Sequence, residues 1–219
     1  MPMVGRQDFQ NCFCFMPMVE TNKYGFPVVK GIESVPDDAT FINSEFARRN
    51  KSYDSWVMFY EYDWKFEKMW QQPKRQAKWL SNFQGAIAPQ FSIYSDIPMA
   101  LQIYSMYKSR WCSAYWESLG IPVIPCVYSG GERTYDWCFD GLPKHSVVSM
   151  GSMGNHKNED DAKCWLNCFE EMARRLDPSL VLLYGAHWDN LPSYVPVKYI
   201  TPSRNELKSI YTGSMVNNN

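Results

Sequence analysis

Histidine is scarce in this chain, with three in 219 residues: His145, His156 and His187. Few imidazoles leave few candidates for general acid–base work near neutral pH. No HExxH, Walker loop, GxGxxG or GxSxG occurs, so the familiar metalloprotease, phosphate-loop, dinucleotide and hydrolase mechanisms lose support. The chain also lacks a charge excess, its formal net charge being −1. No global basic field gathers nucleic acid or an anionic membrane, although a local patch is compatible with that total. No apolar run approaches the roughly 20 residues needed to span a bilayer. Residues 1–18 lack a basic start followed by an apolar stretch, so the expectation is a chain without a signal peptide, resident in the cytoplasm, with no membrane partner.

Seven cysteines are present, and in a reducing compartment they read as free, buried, small apolar groups. Cys12 with Cys14, and Cys164 with Cys168, form two close pairs that together offer four thiolates. Their spacing differs from that of C-x-x-C zinc ribbons, so no metal site is assigned and no cofactor is identified.

What the chain has in quantity is large rings. Aromatics make up 16% of the residues, and 45% are hydrophobic, which fits a globular core rich in Trp, Tyr and Phe and opposes disorder. Aromatic platforms for bases or sugars are the alternative use of those rings.

Short apolar runs at residues 56–60, 85–88, 121–124, 146–150 and 180–184 read as strands buried on both faces. Phe26 to Val29 is a further candidate, and Val197 to Ile200 closes the set. Helical patterns lie between them. One opens with Asp96 as cap and Pro98 in its first turn, carries an apolar stripe through Ile103, Tyr104, Tyr107, Trp111, Ala114 and Tyr115, and stops at Gly120. A second opens at Asp160 and Asp161, buries Trp165, Cys168, Phe169, Met172 and Leu176, and stops before Pro178. A third runs from about Pro73 to Asn82, after an aromatic turn spanning Trp64 to Trp70. Residues 127–142 hold turn formers and aromatics, as a hairpin would. Strand, helix and strand in alternation predict an α/β fold with a mainly parallel sheet and crossover helices. We expect an incomplete or distorted α/β barrel, with an open doubly wound sheet as the alternative. An N-terminal arm (1–25), one α/β domain (26–212) and a frayed tail (213–219) are the expected divisions.

In parallel α/β folds the ligand site lies beyond the carboxyl ends of the strands. That rule selects five loops, and all five are polar or carry glycine. Asp63, following the first run, is read as a general base or a helix cap, and Ser92 as a nucleophile for which no partner base is visible. His187, with Asp189 two residues on, has the address of a catalytic imidazole. Gln90, Tyr94, Asp96, Ser129, Glu132, Ser152 and Asp189 are the expected ligand contacts. Gly151 and Gly154 would let a phosphate approach, but the acidic run from Asn158 to Asp161 would repel it. Separately, Lys65, Lys68, Lys74, Arg75 and Lys78 gather around the first crossover helix, either as a solvated face or, with Trp70 and Trp79, as a nucleic-acid strip.

Several motifs stand in a fixed order. Residues 59–63 read FYEYD and are followed by Phe66 and Trp70; residues 89–94 read PQFSIY and are followed by Asp96 and Pro98. Then come GIPVIP (120–125), FDGLP (139–143), SMG (152–154), Pro178 and Tyr184-Gly185. In this order the chain resembles the DUF4417 family, domains frequent in phages and other mobile elements of bacteria. The resemblance implies a mobile-element context and supplies no chemistry. The family pattern has an acidic residue where this chain has Gln90. If that acid is a base or metal ligand in relatives, its replacement shifts the expectation here from catalysis toward binding.

The leading expectation is a rim pocket that binds, and in its stronger form hydrolyses, a small polar ligand such as a nucleotide. The rivals are a nucleic-acid-binding replication or regulatory protein and a module that binds a host protein. Self-association into a homo-oligomer is compatible with each.

Overall fold

The structure is a computed structural model that describes residues 20–50, 52–153, 158–203 and 207. Seven strands alternate with helices in it: β1 (Thr40–Asn43), α1 (Ser44–Ala47), β2 (Ser55–Met58), α2 (Asp63–Phe66), α3 (Lys68–Gln71), α4 (Pro73–Leu80), β3 (Gly85–Ile87), α5 (Met99–Ser118), β4 (Val123–Ile124), β5 (Val147–Gly151), α6 (Glu159–Leu176), β6 (Leu180–Tyr184) and β7 (Val197–Ile200).

Every ladder is parallel. One sheet runs β1-β2-β3-β4 and the other β5-β6-β7. Strand order follows chain order and never reverses, so the sheets are wound one way, as in a barrel, without the switch point of a doubly wound sheet. The two sheets meet beyond the end of β4. There Val127 donates its N–H to the Ser149 carbonyl (2.8 Å), and Ser149 donates to the Pro125 carbonyl (2.8 Å). No ladder returns from β7 to β1 among the described residues, so the barrel is incomplete. On that open side Lys198 Nζ of β7 donates to the carbonyl of Asp37, just before β1 (2.6 Å). At the carboxyl rim, Asn43 Nδ2 of β1 reaches the Tyr184 hydroxyl of β6 (3.0 Å), and the Tyr60 ring stacks on that of Tyr184 at 4.7 Å.

The aromatic content resolves mainly into core. Trp111 and Trp116 are fully buried in α5, Phe59 packs on Trp116, and Trp70 meets Trp111 edge-on at 5.4 Å. Packing is tight enough to dictate Gly85. A Cβ there would lie 2.3 Å from Trp56 Cζ3 and 2.7 Å from the Pro122 carbonyl oxygen, so only glycine lets β3 pass beneath that ring.

Four expectations are corrected. The strand β1 adds to the expected set, because TFIN is short and partly exposed and offers no apolar run. Phe26 to Val29 forms no strand; Pro27 makes an isolated antiparallel bridge with Thr21, and Val29 donates to the Gly141 carbonyl. Residues 127–142 form no hairpin: Cys126 makes an isolated parallel bridge with Ser149, Val127 donates to the Ser149 carbonyl, and a 3-10 turn occupies Glu132–Thr134. Finally, α5 begins at Met99 with Pro98 as its cap, so Asp96 stands before the helix and does not cap it. Its buried face also differs, including Gln102, Ser109, Arg110 and Ser113 while Tyr104 lies partly in solvent.

Arg110 accounts for part of that polar face and braces the segment expected to form a hairpin. This fully buried guanidinium donates to the carbonyls of Cys138 (2.7 Å), Asp140 (3.3 Å) and Cys126 (3.4 Å). A side chain thus supplies the hydrogen bonds that a hairpin ladder would have made.

Candidate functional site

The carboxyl ends of β2, β3 and β5 open on a cavity of about 300 Å³. Residues 59–62 line it from β2, Gln90, Ser92 and Tyr94 from β3, and Gly151 with Met153 from β5. A recess of about 150 Å³ shares Gln90 and Gly151 and continues toward Ser129, Asp161, Cys164 and Trp165. Convergence at this rim follows from the parallel ladders, which bring loops distant in sequence to one end of the sheets.

At the floor is a chain of hydrogen bonds. Ser149 Oγ donates to the Leu182 carbonyl (3.0 Å), so Tyr60, 2.6 Å from the same oxygen, is the donor to Ser149. Burial pushes the Tyr60 phenol well above its ordinary value and raises the Cys126 thiol to about 12, so both keep their protons at neutral pH. Cys126 donates its S–H to Gln90 Oε1 (3.6 Å). The Gln90 carbonyl is therefore engaged below, and its Nε2 has no partner among the described residues. Gly151 permits this arrangement, because a Cβ there would lie 3.0 Å from Tyr60 Cε1 and 3.4 Å from Gln90 Oε1.

Glu61 is the carboxylate of the cavity. Burial raises its pKa, opposed by the N–H of Glu45 (3.2 Å) and by the charge of Lys65. Glu61 lies in the loop that the rim rule selects, but nothing in its local pattern marks it above its neighbours. Its burial, and the bond it accepts from the Glu45 N–H of α1, come from tertiary contacts rather than from local pattern.

The expected site residues separate into groups. Ser92 and Asp63 come together: Asp63 accepts from the Ser92 N–H (3.0 Å) and hydroxyl (2.9 Å), fastening the β3 loop to α2. Gln90, Ser92 and Tyr94 line the main cavity, and Ser129 lines the recess. Ser152 spends its hydroxyl on the carbonyls of Ala186 (3.0 Å) and Tyr184 (3.3 Å), tying the β5 and β6 loops together. Asp96 is exposed and outside the cavity lining. Glu132 is exposed and accepts from Asn167 of α6 (3.5 Å). His187 and Asp189 pair with each other at 3.3 Å on the surface, His187 stacking on Tyr199, and neither lines the cavity. His156 and Gly154, like the Cys12/Cys14 pair, lie outside the described residues.

Among the basic residues, Lys65 bonds Glu45 (2.6 Å), while Lys74, Arg75 and Lys78 are exposed. The rings expected to help them are occupied: Trp70 is buried, and the Arg48 guanidinium lies 4.0 Å over Trp79. No group of His, Cys, Asp and Glu able to hold a metal ion occurs among the described residues, and none of their helices is long and apolar enough to cross a membrane.

The family described as "Domain of unknown function (DUF4417)" matches residues 18–200. The "Gene 1 protein" of Mycobacterium phage L5 is 37% identical over 135 residues, which is 61% of this chain and 59% of that protein. The "Gene 1 protein" of Mycobacterium phage D29 is 31% identical over 171 residues, 78% of this chain and 63% of that protein. The chain thus spans about 60% of the length of these relatives. No solved structure matches.

Proposed function

Because this chain belongs to the DUF4417 family, a phage-associated domain whose description names no reaction, we propose from its own geometry that the rim cavity binds a small polar ligand of nucleoside type. The observation that carries this reading is Gln90, whose carbonyl is held by Cys126 and whose amide N–H groups are left for a ligand acceptor. Glu61 supplies an acceptor in the same cavity, and Tyr62 and Tyr94 supply ring surface. A planar molecule with donors and acceptors along one edge, such as a nucleobase, complements that set. The lining includes no cation, so a phosphate in this cavity would face Glu61 with no positive side chain lining the cavity beside it. The base and sugar of a nucleotide therefore suit this cavity better than its phosphates. Binding is favoured over hydrolysis, because the Ser92 hydroxyl is committed to Asp63 and no imidazole joins the lining.

Isothermal titration with a panel of free nucleosides tests this reading. At least one nucleoside should bind, and Gln90→Leu should weaken it by tenfold or more, about 1.4 kcal/mol. If no nucleoside binds, or if Gln90→Leu binds as tightly as the parent, the reading fails.

A further inference from the structure

A second concave surface lies on the outer side of Glu61. It is a groove of about 360 Å³ lined by Glu45, Arg48, Arg49, Trp64, Lys65 and Lys68, from α1 and the two residues after it, α2 and the start of α3. Four cations face one carboxylate there, in a chain whose overall formal charge is −1. Glu45 is shared between Lys65 (2.6 Å) and Arg49 (3.0 Å), which leaves Arg48 and Lys68 without a carboxylate within bonding distance among the described residues. Arg48 is fixed rather than loose, its guanidinium seated 4.0 Å over the Trp79 ring and donating to Gln76 Oε1 (2.8 Å). Burial, followed by the neighbouring charge of Arg48, lowers the pKa of Lys68, as expected where like charges crowd with too few counter-charges.

Trp64 is the second, independent feature. This residue is 65% exposed, the most exposed tryptophan described, and Lys65 Nζ stands 5.6 Å from the ring centroid. A large flat ring kept in water beside a row of cations is costly to solvate and idle in the fold. From these features we infer that the groove is a docking strip for single-stranded nucleic acid, with phosphates on Arg48, Arg49 and Lys68 and a base stacked on Trp64. The chemistry discriminates among anionic partners. An acidic peptide would use the cations but has no need of the exposed ring, and a duplex hides its base faces from it. A single strand offers phosphates and unstacked bases together.

The groove adjoins the nucleoside cavity at Glu61, which accepts from the Glu45 N–H and whose charge acts on Arg48 and Lys68. The inference does not depend on that cavity being occupied, and the two can fail separately.

Fluorescence anisotropy of labelled oligo-dT, read across a salt series with tryptophan emission in parallel, tests it. Affinity should fall with salt, with a slope of about −0.7 per neutralised phosphate on a log–log plot. Arg49→Glu with Lys68→Glu should weaken binding at least tenfold and flatten the slope. Trp64→Ala should weaken it about tenfold, within the range for loss of one base stack, and abolish the emission change. These three side chains reach solvent, so circular dichroism should show the variants folded. Gln90→Leu should leave oligo-dT affinity intact. No salt-sensitive binding by the parent protein, undiminished binding by the charge-reversed double variant, or equally tight binding of poly-glutamate or of duplex DNA would each overturn the assignment.

Discussion

At the scale of single residues, the site is built from groups held away from their preferred state. Glu61 is the clearest, since the fold removes its carboxyl from water and raises its pKa. The native protein therefore binds the Glu61 proton more tightly than the unfolded chain does. The resulting penalty is absent below the unfolded pKa, grows as pH rises toward the folded pKa, and is complete above it. Glu61→Gln keeps an oxygen to accept from the Glu45 N–H and removes the charge. It should raise unfolding stability at neutral pH, and the gain should shrink toward zero as pH falls below the carboxylate range. Urea titrations at neutral and acid pH measure this, and a gain that is independent of pH would contradict it. Gln90, Cys126 and Tyr60 follow the same logic with neutral groups, where buried protonation states decide which atoms of the amide are engaged within the protein.

At the scale of elements, α6 shows how a helix end secures a loop. Its N-terminus has Asn158 accepting from the Asp161 N–H (2.8 Å), the cap that the acidic run around it announces. In its last turns Glu171 accepts from Arg174 (2.7 Å) and Arg175 (2.6 Å), and Arg175 also donates to the Tyr135 carbonyl (2.7 Å), pinning the segment after β4. The bonds from Arg174 and then Arg175 hold the Glu171 carboxyl at about 2, below its ordinary 4.5. A shift of that size corresponds to roughly 3 kcal/mol, but water screens the exposed Arg174, so a contribution of about 1 kcal/mol is expected. Because the folded pKa is depressed, this stability is present above pH 4.5 and lost as pH falls toward 2. Glu171→Gln should cost about 1 kcal/mol at pH 7 and almost nothing near pH 2, as read by thermal or urea unfolding. An equal cost at both pH values would assign Glu171 a packing role instead.

For the whole molecule, the arc of strands is joined where β4 gives way to β5, and Arg110 braces that junction from within. Burial lowers its pKa, opposed in part by nearby groups that include Asp140, and its hydrogen-bond partners are carbonyls rather than a carboxylate. Arg110→Met would remove the buried charge but leave the carbonyls of 126, 138 and 140 unpaired in the interior. The net loss should be about 3 kcal/mol by urea denaturation. Arg110→Lys should not restore it, because one ammonium cannot span three carbonyls as a planar guanidinium does. A variant as stable as the parent would show that the loop holds itself.

Much of this architecture was legible in the linear chain because burial on both faces of a parallel strand leaves an unmistakable apolar run. The strands β2 to β6 lie where such runs predicted, β7 lies where Val197 to Ile200 was expected to close the set, and α6 buries the five side chains that its helical spacing selected: Trp165, Cys168, Phe169, Met172 and Leu176. Periodicity could not reveal β1, whose outer edge is partly exposed, nor the polar inner face of α5, whose Arg110 and Ser109 read as outward-facing until their partners elsewhere in the chain are known. The same division holds at the site. Local pattern and the rim rule were sufficient to select the loops carrying Gln90, Ser92 and Tyr94. Desolvation of Glu61, engagement of the Gln90 carbonyl, pairing of Ser92 with Asp63 and the gathering of Arg48, Arg49 and Trp64 into one groove were decided by tertiary structure alone. Each depends on a neighbour distant in sequence, and an electrostatic environment, unlike a hydrophobic period, has no signature along the chain.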